Sequence, residues 1–266
     1  MLRARIITAL VISTSLIAAL GLGSPLLISA VLGLFVLAGA WEWAAFCGWS
    51  GGARLAYALV VVLIALLCRL WLWAEPQFNL LLWVAMLWWC GAFLYLLWVP
   101  QRVPPALAAL AGVMALVPTW LALVRVGTGW PRGFEWTVFV LTLPVMVDTG
   151  GYIFGKLFGR LKLAPRISPG KTWEGLLGGM VLAALFAWLG AWWFHLEPRY
   201  FIPLCLAAGM LSVVGDLSES LLKRGQGLKD SGRLFPGHGG VLDRIDSVTA
   251  ATPVMVLGLG WLGVGA

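Results

Sequence analysis

The chain has 266 residues, 61% of them hydrophobic and 11% charged, with a formal net charge of +7 and a pI near 9.6. A water-soluble fold of this size leaves roughly a quarter of its unfolded surface in water, which this composition cannot supply in polar form, so a soluble domain is excluded. Nor does the basic excess point to nucleic acid, because loop Lys and Arg are what orientation in a membrane requires.

Apolar runs of about 20 residues recur, each long enough to cross a hydrocarbon core roughly 30 Å thick. They predict about nine helices, near residues 6–22, 26–47, 54–73, 78–99, 105–125, 136–157, 172–194, 200–223 and 246–265. Helices satisfy their own backbone groups in lipid, so the expected fold is all-α and polytopic. At the start, Arg3 and Arg5 precede "IITALVISTSLIAALGLGSP", which resembles a secretory signal. Further spans follow at once and "GLGSP" is a poor cleavage site, so it reads as a retained first helix. The connectors "GWSGG", "AEPQ", "PQRVPP", "GTGWPRG" and "HLEP" carry the expected helix breakers.

Charge tests this map. With a cytoplasmic N-terminus, Arg3, Arg5, Arg54, Arg102, Lys156, Arg160, Lys162, Arg166, Lys171, Lys223, Arg224, Lys229, Arg233 and Arg244 fall on the cytoplasmic side. Only Arg69, Arg125, Arg132 and Arg199 fall opposite, a ratio of fourteen to four that supports both orientation and span parity. Trp71, Trp73, Trp130, Trp136, Trp192 and Trp193 lie near span ends, where indoles form interfacial belts. Cys47, Cys68, Cys90 and Cys205 show neither CxxC nor His-linked spacing and read as packing residues. His195, beside "HLEP", reads as interfacial.

All five Asp residues lie in the second half, so residues 1–133 read as scaffold and 134–266 as the catalytic region. Asp148 interrupts "TLPVMVDTGGYIFG" and Asp216 interrupts "MLSVVGDLSESLLK". A carboxylate at such depth costs a few kcal/mol and signals function, a structural contact between helices being the alternative. Ser212, Asp216, Glu219, Ser220 and Lys223 recur at helical spacing on one stripe, and Asp243, Asp246 and Ser247 form another. Two acidic stripes in a dry place need cations between them, either Lys and Arg or an oxygen-liganded Mg²⁺.

The loops "GKLFGRLKLAPRISPGKTWEG" and "KRGQGLKDSGRLFPGHGG" are basic, Gly-rich and on one predicted face. Glycine lets backbone N–H groups approach an anion and Lys and Arg neutralise it, so the combination points to phosphoryl or nucleotidyl transfer. Gly170, Lys171 and Thr172 imitate the end of a Walker A loop. That motif needs Gly where this chain has Pro165, and no strand is expected before it, so it is not a P-loop.

The segment "SLLKRGQGLKDSGRLFPGHGGVLDRID" resembles the C-terminal signature of the bacterial phosphatidate cytidylyltransferases, or CDP-diglyceride synthases. Ser220, Lys223, Arg224, Lys229, Asp230, Gly232, Phe235, Pro236, His238, Gly239, Gly240, Asp243, Arg244 and Asp246 fill it without a gap. "DTGGYIFGKLFGR" and "SPGKTWEG" are similar to the family's other well-kept stretch, with Gly151 where Ala is more usual and Gly170 where Lys is common. The likeness in motifs covers roughly residues 145–250.

The resemblance implies transfer of a cytidylyl group from CTP to phosphatidic acid at the cytoplasmic side of a bacterial inner membrane, giving CDP-diacylglycerol and pyrophosphate. Joining a lipid phosphate to a nucleotide makes charge neutralisation and positioning the main demands. Asp216, Asp243 and Asp246, with Asp148, are expected to hold Mg²⁺, leaving room for a second, monovalent ion. Asp216, Asp243, Asp246, Lys223 and His238 are the candidate catalytic residues. Lys171, Ser220, Arg224, Lys229 and Arg244 are the candidates for the triphosphate and lipid headgroup, ordinary positive-inside charge being the alternative for the basic ones. Glu219 and Asp230 read as supporting partners or simple ion pairs. Membrane lipids are the surroundings, no nucleic acid partner is expected, and Gly- and Ala-rich faces permit a homodimer. Two other classes fit less well. A transporter would spread its polar groups over matched broken helices, and a phosphotransferase consuming CDP-activated lipid would carry a D-G and A-R acidic pattern that is absent here.

Overall fold

The computed structural model describes residues 24–98, 103–232, 234 and 239–265, together with 18 and 21. These form α1 (Pro25–Phe46), α2 (Gly52–Trp71), α3 (Gln77–Trp98), α4 (Pro105–Gly129) and α5 (Gly133–Phe158). A hairpin of β1 (Lys162–Ala164) and β2 (Ser168–Thr172) follows, then α6 (Trp173–Phe194), α7 (Pro198–Gly225) and α8 (Leu242–Trp261). The protein is thus an α-helical, multi-pass membrane protein.

Seven of these helices, α1 to α7, are long and apolar enough to cross a membrane. The predicted span 6–22 falls almost wholly outside the described residues. The helix α8 is not among the seven, since its first turns hold Asp243, Arg244, Asp246 and Ser247. The expected nine spans are therefore seven among the described residues. The helix α8 begins at Leu242 rather than 246, which puts Asp243 in its first turn. The hairpin is a second departure. Its strands pair antiparallel, Lys162 with Thr172 and Ala164 with Ser168, across a three-residue connection containing Pro165.

The chain divides into two compact units. Unit 1 comprises residues 1–81, 101–136 and 222–245; unit 2 comprises 82–100, 137–221 and 246–266.

In unit 1, α1 packs against α2 and α4, and α2 against α4. Ser24 caps α1 and Pro25 opens it, the chemistry of a helix start. Ile28, Leu32, Val36, Ala40 and Trp43 recur at helical spacing and are buried. The Trp43 indole donates to the Ala108 carbonyl at 2.8 Å and the Tyr57 hydroxyl to Ala109 at 2.7 Å. Both rings lie over Gly112, where a methyl group would collide with them. The outward face of α2 is apolar: Leu55, Leu59, Leu63, Leu66 and Leu70 are all exposed. An apolar stripe of that length belongs against lipid.

In unit 2, Phe139 stacks on Phe186 with centroids 4.6 Å apart and meets Phe194 edge-on at 5.6 Å. The main seam is made of glycine. Gly151, Gly155 and Gly159 on and just past α5 repeat every four residues, and Gly175, Gly178 and Gly179 of α6 face that side. Small residues at this spacing let helix backbones touch, the usual driving contact where lipid removes the hydrophobic effect. Thr172 caps α6 by accepting from the Gly175 N–H at 3.1 Å, and Glu174 accepts from the Leu161 N–H at 3.1 Å, tying the hairpin to the helix. The far end of α6 closes on His195 in the left-handed region at φ 57°, so the interfacial histidine is also a helix C-cap.

The seam makes a discriminating prediction. A methyl group on Gly150 would meet the Gly178 carbonyl oxygen at 2.7 Å, whereas one on Gly151 would meet the Gly175 carbonyl at an ordinary 3.7 Å. Gly150→Ala is expected to destabilise the protein by about 1–3 kcal/mol through overpacking. Gly151→Ala should stay within about 0.5 kcal/mol. Thermal unfolding in detergent distinguishes them.

Candidate active site

Each unit gathers part of the charged residues. In unit 2, α5 contributes Asp148, β2 contributes Lys171 and α7 contributes Asp216. All three open onto one cavity of about 390 Å³, lined also by Gly151, Tyr152 and Ser168. Lys171 and Asp216 form an ion pair with both side chains largely covered. Ser220, one turn along α7, donates to Asp216 Oδ1 at 3.3 Å. The hairpin that the sequence reading missed is what carries Lys171 to this aspartate.

The helix α8 supplies the rest of this cluster. A methyl group on Gly215 would meet the Asp246 carbonyl oxygen at 2.6 Å, so the α7 turn bearing Asp216 lies directly against the α8 turn bearing Asp246. Ser247 donates to Asp148 Oδ2 at 2.9 Å, and Asp246 Oδ1 accepts from the Ser247 N–H at 2.7 Å. Asp148, Asp216 and Asp246 are thus drawn together by one serine and one glycine contact.

In unit 1 the focus is Asp243. Lys223 Nζ donates to its Oδ1 at 2.7 Å, both side chains being about 10% exposed. Its Oδ2 accepts from the Gly240 N–H at 2.8 Å, the Ser231 N–H at 2.9 Å and the Ser231 hydroxyl at 3.0 Å. A carboxylate held by three donors on one oxygen and an ammonium on the other has a single orientation. Arg224 donates to the Leu228 carbonyl at 3.3 Å, and Arg224, Lys229 and Arg244 are exposed. His238 lies outside the described residues.

Glu42 is the residue that sequence reasoning missed. It is 4% exposed, and its Oε2 accepts from the Ser231 hydroxyl at 2.9 Å and the Leu242 N–H at 3.0 Å. The Leu242 N–H is one of the orphan donors at the start of α8, so Glu42 caps a helix two hundred residues away. A methyl group on Gly232 or Gly240 would strike this carboxylate, so the loop closes around it. The first half thus supplies a cap to the last helix. The signal was present: Glu42 is a lone acid in "AGAWEWAAF", and a carboxylate inside a span is exceptional whether it is Asp or Glu.

The cations that the acidic stripes require are lysines, one on Asp216 and one on Asp243. Among the described residues no three His, Cys, Asp or Glu side chains converge into a group that could hold a metal ion. The chemistry of the donors still suits Mg²⁺, which binds through one or two carboxylates plus waters and substrate phosphates rather than a protein cage. Asp148 and Asp216, which line one cavity, provide that number.

Comparison with known proteins agrees with this arrangement. A model of the Cytidylyltransferase family matches residues 3–261. The chain is 39% identical over 277 residues to a phosphatidate cytidylyltransferase of Pseudomonas aeruginosa, covering 100% of each chain. It is 35% identical over 287 residues to one of Haemophilus influenzae, covering 95% of this chain and 96% of that one. A Brucella suis phosphatidate cytidylyltransferase is 42% identical over 135 residues, about half of each chain. With the match spanning nearly every residue from the first helices to the end of α8, the chain belongs to the cytidylyltransferase family.

Proposed function

We propose that this chain transfers the cytidylyl group of CTP to phosphatidic acid, and the full-length similarity to two phosphatidate cytidylyltransferases carries that reading. A phosphate oxygen of the lipid attacks the α-phosphorus of CTP. The bond from that phosphorus to the bridging oxygen breaks, giving CDP-diacylglycerol and pyrophosphate.

The reaction brings together anions that repel by about 4 kcal/mol per unit pair at 4 Å and an effective dielectric near 20. Lys171 and Lys223 are suited to relieve this, since each already neutralises a carboxylate and can be shared with phosphate oxygens. Asp148 and Asp216, with Asp246 on the α8 turn against Asp216, would hold Mg²⁺, which when bound supplies Lewis-acid stabilisation of the phosphate oxygens. Ser220 orients Asp216, and Ser231 with Gly240 orients Asp243. Arg224, Lys229, Arg244 and His238 are assigned to anion contacts by their place in the charged segment. The positive-inside pattern supports a cytoplasmic position for these groups, at the inner membrane of a bacterium.

The metal part is tested by chelation. Removing divalent ions is expected to stop phosphatidate-dependent release of pyrophosphate from CTP, and adding Mg²⁺ back to restore it. Undiminished release in excess chelator would rule out the carboxylate–metal assignment and leave the lysines as the principal charge-neutralising groups.

A further inference from the structure

Within unit 1, α1, α2 and residues 227–232 and 234 enclose a groove of about 1000 Å³, the upper end of the range of about 300–1,000 Å³ for small-molecule sites. Its walls are apolar, formed by Leu34, Leu37 and Ala38 of α1 and Leu55 and Ala58 of α2. Leu34 and Leu55 are 64% and 50% exposed, so the groove opens along the lipid-facing side of these two spans.

One end carries different chemistry. Arg54 Nε donates to the Trp41 carbonyl at 3.0 Å, and its guanidinium lies over the Trp41 ring, 5.1 Å from the centroid. Those two contacts fix the fork and leave both terminal nitrogens uncommitted, and no carboxylate pairs with it among the described residues. Lys229 lines the same groove. Two acids share the lining. Glu42 spends its Oε2 on Ser231 and Leu242, and Asp230 is exposed at the rim. A pre-oriented guanidinium suits the geometry of a phosphate monoester.

We propose that this groove is the phosphatidate site, with an acyl chain along α1 and α2 and the phosphate on Arg54 and Lys229; the inference rests on the acceptor named above. A nucleotide triphosphate has no use for an apolar wall of this extent, and a zwitterionic lipid offers only a singly charged phosphodiester beside its own ammonium, a weaker match than a phosphate monoester to two cations. Ser231 links the two functions. It lines the groove and donates to Asp243, so the groove's polar end lies one side chain from the Lys223–Asp243 pair.

The test labels the protein in detergent with a phosphatidate carrying a photoreactive acyl chain and, on the same preparation, measures KM for both substrates. Crosslinks are expected between residues 34 and 58, competed by phosphatidate and not by phosphatidylcholine. Arg54→Gln is expected to raise the phosphatidate KM about tenfold, the loss of roughly one charge-assisted hydrogen bond, with the CTP KM within about twofold. Arg54→Lys, which keeps charge without the fork, should fall between. Leu55→Trp fills the wall without touching the Trp41 contacts and should raise the same KM if Arg54→Gln fails to fold. Crosslinks centred instead on Phe93, Leu97 and Trp173, which line a separate apolar groove in unit 2, would overturn the proposal. So would an unchanged phosphatidate KM in both variants. Specific labelling of α1 and α2 by a wild-type protein that makes no liponucleotide would sink the functional reading and leave the lipid site standing.

Discussion

Asp243→Asn is expected to lower turnover by at least about 100-fold, the scale of losing one preorganised electrostatic contact at a reacting phosphate. The amide cannot keep the present arrangement. Asp243 takes an ammonium on one oxygen and three N–H or O–H donors on the other, and an amide must turn a donor toward one of those sets. It also breaks one side of a buried ion pair, the Lys223 and Asp243 side chains each being about 10% exposed, and such a break costs about 3–5 kcal/mol. A loss of fold could therefore be mistaken for a loss of chemistry. The double variant Lys223→Met with Asp243→Asn removes both members of the pair and should regain part of the stability while turnover stays low. Recovery of turnover together with stability would show that the pair only supports the fold. Asp216→Asn is expected to behave like Asp243→Asn in turnover, with a smaller stability cost, because its partner Lys171 is 23% exposed and better hydrated.

Glu42→Ala produces the second large effect. It leaves the Leu242 N–H without its acceptor and the Ser231 hydroxyl with Asp243 in place of Glu42, at about 1–3 kcal/mol for the orphaned buried group. A loss of about 1–3 kcal/mol and at least a tenfold drop in turnover are expected, because the same serine orients Asp243. Glu42→Gln retains an oxygen for one donor and should recover much of the stability. Glu197, whose side chain is 73% exposed, provides the control, since Glu197→Gln should change stability by less than about 0.5 kcal/mol. Equal melting temperatures for Glu42→Ala and Glu197→Gln would contradict the capping role.

Much of this architecture is legible because membrane helices announce themselves by length and apolarity, and a carboxylate among them by its cost. Asp148 and Asp216 stand out for that reason, and the stripe through Asp216, Ser220 and Lys223 follows from helical spacing alone. What the chain order conceals is transverse. Nothing local in "AGAWEWAAF" says that Glu42 caps α8, since its partners come from Ser231 and Leu242 at the other end of the sequence. The hairpin was hidden for another reason. Strands of three and five residues, one containing Pro169, give no period-2 pattern long enough to read. The later predicted start of α8 has a third cause. Asp243, Arg244 and Asp246 look like loop until Glu42 is seen to accept from the first helical N–H, and polar first turns are what a helix with a buried capping partner can tolerate. Arg54 looked like ordinary orienting charge, and only its fixed pose over Trp41 sets it apart.

The most direct measurement is the fate of label from CTP carrying radioactive phosphorus at either the α or the γ position, incubated with purified protein, phosphatidate micelles and Mg²⁺. Cytidylyl transfer predicts α label in a lipid-soluble nucleotide and γ label in pyrophosphate, both dependent on phosphatidate. Transfer of γ label to lipid, or no lipid label from a folded protein across several divalent ions, would contradict it.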